Sequence, residues 1–446
     1  MFTYIKLKNF LSFGDVEFNF KKNSTTTKKF VAIYGENGSG KSNFVRSIEL
    51  LCKTLISFNY ASKVEKLSDI IANSDDYPPD TIKKIVEGHD ILNYFSSCRM
   101  IDCEEPTEIE YGFLLDGYEG KYKLSFSDGI TEESLYYLKN KERGYLFRIS
   151  SDENGNIKKD IWSELFLSNE EKKETETDID KYWGKHTLLA IISNKIIERN
   201  EAYIRKNISK RLLDVIDMFL NTTIIVKGND IGSGFVNSKP IALLNNLEHG
   251  KISKNNSNQL EHTERMLREF LTQSYADIKD VSYYTEATDN DMIKYRLYVD
   301  KMIAGKVRRV DFQNESSGTK RILTLVRRLL GLFYGLTVVI DEADTGIHDI
   351  LFNNIISSLS DDITGQLIIT THNTILLEEI KPDNVYVIQV DYQGNKQIRS
   401  LEEFSIKKNN NIRKQYLQGL FGGIPYVDGI DYTSIIDEIE GGEEDL

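Results

Sequence analysis

The chain has 446 residues, 40% hydrophobic and 28% charged, which is enough to bury one large core or a core plus an added module. Its 56 Lys and Arg against 69 Asp and Glu leave a net charge of −13, which excludes a protein whose whole surface grips nucleic acid by neutralising phosphates. Three cysteines (Cys52, Cys98, Cys103) are too few and too irregular for a disulfide framework or a zinc pair, no apolar run reaches membrane-spanning length, and the N-terminus lacks a signal peptide's apolar stretch, so a reducing cytoplasm is expected.

Residues 2–20 place Ile5, Leu7, Val16, Phe18 and Phe20 on one face at period two, which predicts a strand pair turning at Ser12–Asp15. The polar stretch 21–29 is expected to be a loop, over the adenine side of a nucleotide site or simply solvated. The apolar strand 30–34 then runs into GENGSGKS at 35–42. In that Gly-x-x-x-x-Gly-Lys-Ser pattern, the glycines let successive backbone N–H groups converge on the β- and γ-phosphates. Lys41 supplies a point charge, Ser42 a magnesium ligand, and the helix expected over 41–57 aims its positive dipole end at the same anion.

Residues 108–126 read as a hairpin turning near Asp116–Gly117, with further strand character at 145–149, so an antiparallel lobe is expected beside a parallel sheet. From 151 to 300 the periodicity becomes helical, at 186–220 and 259–278, around a Gly/Asn/Ser-rich joint at 228–258. Sustained heptads are absent, which argues against a long coiled coil. The reading divides the chain into 1–150, a mainly helical insertion at 151–300, and 301–446.

Residues 314–321 (NESSGTKR) open a helix with Ile322, Leu325, Val326, Leu329 and Phe333 on its apolar face, and a Ser-Gly helix start can receive an anion. Along that helix Lys320, Arg321, Arg327 and Arg328 form a stripe, read either as a basic surface for phosphates, DNA or an acidic partner, or as a solvated face. The buried-type strand 336–340 delivers Asp341 and Glu342 at its carboxyl end, where ligands of open α/β sheets bind. Asp341 suits a magnesium shell and Glu342 suits polarising an attacking water. A further strand, 366–370, ends in Thr371-His372-Asn373, and a neutral imidazole there can bond a γ-phosphate oxygen or the water. The acidic tail 435–446 reads as a solvated terminus, with protein docking as the alternative.

The order of phosphate loop, insertion, Ser-Gly helix start, acidic strand and His strand resembles the ABC-type ATPase heads of the SMC, RecF and OLD group. By that resemblance Gly35, Asn37, Gly38, Gly40, Lys41 and Ser42 form Walker A, with Ser39 and Asn43 completing the loop's nucleotide contacts. Asp341 and Glu342 are then Walker B, His372 the switch histidine, and Ser317–Gly318 the signature that completes the site of another subunit. The segments ESSGTKR (315–321), DEADTGIH (341–348), TTHN (370–373) and YLQGLFGGIPYV (416–427) are similar to a subfamily of antiphage and abortive-infection ATPases of the AbiL and RloA type, including the AriA component of the PARIS system.

The resemblance implies an α/β ABC-ATPase head that binds ATP and Mg2+ and turns over slowly. It also implies a head that dimerises through composite ATP sites, and an antiphage switch that senses infection through a phage-encoded trigger and controls a separate effector, of the TOPRIM nuclease type. With so short a stretch after His372, such a nuclease is expected to be a separate protein. Thr319 and Lys320 stand where transporter cassettes carry Gly and Gln, and no glutamine precedes Gln259, so the coupling glutamine of transporters is missing. The alternative is a RecF- or SMC-like ATPase acting directly on DNA, which would bind DNA in a salt-sensitive, ATP-strengthened way.

Overall fold

The computed structural model describes the chain except for residues 24, 72–89, 139–143, 153, 199–200, 227–228, 233–242, 289–290, 360–362, 407–409, 425–428 and 442–446. Parts of the 228–258 joint, of the 416–427 segment and of the acidic tail therefore lie outside the described residues. In chain order the strands are β1 (Phe2–Phe10), β2 (Phe13–Asn19), β3 (Phe30–Tyr34), β4 (Thr107–Leu115), β5 (Tyr118–Phe126) and β6 (Ile130–Tyr137). Then come β7 (Tyr145–Ser151), β8 (Ile157–Ile161), β9 (Thr222–Val226), β10 (Asn229–Gly232), β11 (His249–Ser253) and β12 (Ile278–Thr288). The last six are β13 (Met292–Ile303), β14 (Lys306–Asp311), β15 (Thr337–Ile340), β16 (Gln366–Thr370), β17 (Val385–Val390) and β18 (Lys396–Ser400).

They form an antiparallel sheet in the order β2-β1-β4-β5-β6-β7-β8, a core sheet in the order β10-β9-β15-β16-β3-β17-β18, and a small sheet of β11, β13, β12 and β14. In the first, Ile5, Leu7, Val16 and Phe18 are buried as their alternation predicts. The turn is tighter than expected, at Leu11–Ser12, because Phe13 is fully buried and pairs with Phe10. The β4–β5 hairpin turns at Asp116–Gly117, whose φ values of 51° and 80° suit an Asp-Gly pair.

The core sheet is parallel across β9, β15, β16, β3 and β17, with antiparallel strands at its edges. Every residue of β15 and β16 is buried, the continuous apolar run that a sheet covered on both faces requires. Val31 and Ile33 join one core with Phe44, Val45 and Ile48 of the helix Lys41–Ile71, which follows the phosphate loop. Ala32 and Tyr34 join a second core with Ile322, Leu325, Val326 and Leu329 of the helix Ser317–Gly331. Phe333, expected on that face, lies beyond the helix end and is 41% exposed.

The stretch 151–300 does carry helices, at Asn169–Tyr182, Leu188–Glu198, Glu201–Asn207, Lys210–Leu220 and Asn258–Ser274. It also supplies β9, which pairs in parallel with β15, so a strand of the core sheet comes from within the expected insertion. A five-residue apolar run directly after a helix cannot be told from more helix by periodicity alone. Strand β12 buries only Ile278 and Val281, so its alternation is faint, whereas β13 alternates plainly at Tyr295, Leu297 and Val299 and its strand signal went unread. The loop 21–29 is also corrected. It leads into the start of β3 and lines a cavity with Ile356, Ile380 and Lys381 at the amino ends of the core strands, at the end opposite the phosphate loop.

Candidate functional site

The phosphate loop leaves the carboxyl end of β3, and Lys41 begins the following helix. Gly38 and Gly40 have φ values of 81° and 111°, a backbone that side chains rarely adopt and that turns N–H groups inward. Lys41 is buried, and its Nζ donates to the carbonyls of Gly35 (2.7 Å) and Glu36 (2.8 Å). Burial lowers the Lys41 pKa while Asp341, Glu342, Asp344 and Glu36 pull it back up, so those four carboxylates all lie close to the ammonium. Ser39 is fully buried and its Oγ has no hydrogen-bond partner. Ser42 is exposed at the helix start, and Asn43 Nδ2 donates to Ser12 Oγ (2.6 Å).

Strand order explains how distant motifs meet. β16 pairs with β15 on one side and β3 on the other, so the three loops at their carboxyl ends adjoin. Thr370 Oγ1 donates to Asp341 Oδ1 (2.6 Å) and accepts from the backbone N–H of Glu342 (2.8 Å), one hydroxyl fixing both acids. Asp341 is 1% exposed, and Glu342 has φ 47°, a left-handed conformation unusual for a non-glycine residue at a strand end. Asp344 Oδ1 accepts from Thr371 Oγ1 (2.7 Å) and from the backbone N–H of His372 (3.3 Å), which ties the two loops. The His372 imidazole reaches solvent, yet surrounding protein first and Lys41 second lower its pKa, holding it neutral near pH 7. Lys41, Asp341, Glu342 and His372 are thus brought together as expected, and Ser42 lies beside Lys41.

Ser317 and Gly318 are placed differently. They open their helix beside the Asp344–His348 loop, where a Cβ on Gly318 would stand 2.5 Å from Gly346 O. Ser317 is exposed, and its hydroxyl makes no hydrogen bond among the described residues; the cap is Ser316, which accepts from Thr319 N–H (3.1 Å). The expected basic stripe is a surface only in part: Lys320 is partly exposed, with its Nζ on Gln313 O (2.7 Å), while the three arginines are tied into the protein. Arg321 reaches the Glu342 carbonyl (3.4 Å), Arg327 bonds Asn245 Oδ1 (2.8 Å), and Arg328 is 8% exposed. Burial lowers the pKa of all three arginines, because the helix packs on two cores and leaves only a narrow outer face.

Sequence reasoning missed the roles of Thr370 and Thr371, although both lie within a motif already singled out, and of Arg321, whose guanidinium faces Asp341, Glu342 and Asp344. The residues fit a nucleotide with magnesium. A buried serine hydroxyl and a lysine satisfied only by loop carbonyls await an anion, while the exposed Ser42 hydroxyl and the second oxygen of Asp341 are oxygen donors of the kind magnesium takes.

The family model described as "AAA ATPase domain" matches residues 1–377, well over half of the chain. The chain belongs to the AAA ATPase domain family. Membership makes this chain an ATPase-domain protein, and such domains bind nucleotide. No curated protein matches it. Among solved structures, the AAA ATPase domain is similar to an SMC head bound to the C-winged helix domain of ScpA, at 17% identity over 90% of this chain and 99% of that one, TM-score 0.46. It is also similar to an SMC head domain with an extended coiled coil, bound to the C-terminal domain of ScpA, from Pyrococcus furiosus (16% identity, 94% and 99% covered, TM-score 0.42). The recombination mediator protein RecF is a third (14%, 90% and 98%, 0.37). Among the described residues no helix is long and apolar enough to cross a membrane, and no cluster of His, Cys, Asp and Glu forms a further metal site.

Proposed function

We propose that this ATPase is a nucleotide-dependent dimerising switch whose head closes on a second copy when ATP is bound. The observation that carries the reading is the arrangement of the site: Lys41, Asp341, Glu342 and His372 converge, while Ser317, at the Ser316-capped start of its helix, is exposed and its hydroxyl has no partner among the described residues. A helix N-terminus with free N–H groups is an anion site without an anion of its own. The phosphates held by one copy's loop would supply it in the other copy.

In this reading the loop N–H groups from Gly38 to Asn43 and the Lys41 ammonium hold the phosphates, Lys41 letting go of the Gly35 and Glu36 carbonyls to do so. Magnesium, held by Ser42 and Asp341, would neutralise phosphate charge. Glu342 accepts a proton from the attacking water as the bond from the γ-phosphorus to its bridging oxygen breaks, leaving ADP and phosphate. Neutral His372 donates to a γ-phosphate oxygen, and Arg321 holds the backbone of Glu342. Loss of the γ-phosphate removes the bridge, so the chemistry times a conformational state.

We further propose that the switch serves antiphage defence and controls a separate effector protein of the nuclease type, in a cytoplasmic setting. ESSGTKR, DEADTGIH and TTHN support this reading. Plaque counts on cells carrying the native locus test it: wild type should restrict phage, and Lys41→Ala and Glu342→Gln should not. Equal plaquing with and without the locus across a diverse phage panel contradicts it. The second reading, direct action on DNA, needs a basic surface; the buried Arg328 and the engagement of Arg321 and Arg327 with protein oxygens weigh against it, and ATP-strengthened, salt-sensitive DNA binding would revive it.

A further inference from the structure

Lys396, at the start of the edge strand β18, reaches across to the phosphate loop from outside every motif considered above. Its Nζ donates to Gly38 O (3.2 Å) and to Ser12 Oγ, and it lies 5.3 Å from the centre of the Phe13 ring. The ammonium is 3.1 Å from where a Cβ on Gly40 would stand, so it touches the loop at two of its glycines. Ser12 Oγ also accepts from Asn43 Nδ2, so one hydroxyl joins the β1–β2 turn, Lys396 and the residue after Ser42.

The charge is uncompensated. Among the described residues no carboxylate forms an ion pair with Lys396, and partial burial lowers the pKa of its ammonium. Lys28 is the contrast: it is more deeply buried and likewise bonded to a neutral hydroxyl, that of Tyr386, yet Glu402 lies 3.5 Å away. A partly desolvated ammonium held only by neutral oxygens gains most when an anion arrives. The anion site within reach is the phosphate loop it already grips, where the buried Ser39 Oγ is also without a partner.

We propose that Lys396 is a second cation of the nucleotide site, shifting from Gly38 O to the phosphate chain of the nucleotide held by its own loop. Its companion contact to Ser12 then reports occupancy to the β1–β2 turn. The inference rests on the reading that the loop binds ATP.

The test is titration of fluorescent ATP and ADP analogues into the full chain, comparing wild type with Lys396→Met, Lys396→Gln, Lys396→Arg and Lys41→Ala. Lys396→Met and Lys396→Gln should each weaken ATP and ADP alike by about tenfold, equivalent to about 1.4 kcal/mol. Lys396→Arg should stay within about threefold of wild type. The deficit should shrink as NaCl rises from about 0.05 to about 0.5 M, because a lost charge contact is one that salt screens. A structural role would instead give an equal, salt-independent loss in the Met, Gln and Arg variants, and that result overturns the proposal. Wild-type affinity in Lys396→Met alongside lost binding in Lys41→Ala also overturns it while leaving the ATP site intact. A wild-type chain that binds neither nucleotide sinks the site reading and this inference together.

Discussion

Gly318→Ala puts a methyl group 2.5 Å from the backbone oxygen of Gly346, where ordinary contact begins near 3.4 Å. The obstacle is main chain, so either the helix start or the Asp344–His348 loop must retreat by roughly 0.9 Å. Overpacking of this kind costs about 1–3 kcal/mol. Alanine's better helix propensity returns at most about 1 kcal/mol. A net loss of about 1–2 kcal/mol should lower the melting temperature by only a few degrees in a protein of this size. The functional cost should be larger. Gly346 follows Asp341 and Glu342 in the same loop, and Asp344 between them anchors the His372 backbone. A displacement near 1 Å at such a site costs about a hundredfold in rate. Phosphate release should therefore fall at least about thirtyfold while ATP binding, measured by fluorescence, stays within about threefold. Release within about twofold of wild type would refute the claim that this loop and helix start are rigidly coupled.

Two pH effects follow from the fold. His186 is 5% exposed, bonds Ser57 Oγ at 2.8 Å, and burial pulls its pKa down to about 4. The unfolded chain takes up that proton near pH 6.5 and the folded chain only near pH 4, so stability present above pH 6.5 drains away between the two, about 3 kcal/mol in all. Urea melts at pH 7 and 4.5 should show the loss in wild type and a reduced loss in His186→Gln. His372, with its pKa lowered by burial and Lys41, should place the acid limb of the ATPase profile below pH 6.5, and His372→Gln should both slow hydrolysis and remove that limb.

The convergence of the candidate site was legible because a phosphate-loop pattern leaves little freedom in where its companions can stand. Gly38, Gly40, Lys41, Asp341, Glu342 and His372 sit at strand ends whose apolar runs announce a parallel sheet, and those positions converge in space. Thr370 could not be assigned from sequence, since fixing Asp341 and Glu342 depends on the β15–β16 register, which only pairing reveals. Lys396 was invisible for the same reason: β18 reaches the phosphate loop through tertiary packing. The arginine stripe failed because positions seven apart do share a helix face, but that face can be the buried one when two cores flank the helix. The strand β9 was lost to an apolar run too short to declare its period.

The most direct measurement is the mass in solution of Glu342→Gln with ATP and Mg2+, by light scattering, against wild type and Ser317→Arg. The account predicts a lower-mass species for every protein without nucleotide and a persistent doubling of mass for Glu342→Gln with ATP. Ser317→Arg should show no doubling although its ATP binding is retained. Unchanged mass on ATP binding, or hydrolysis by Glu342→Gln at the wild-type rate, would contradict the two-copy switch at its root.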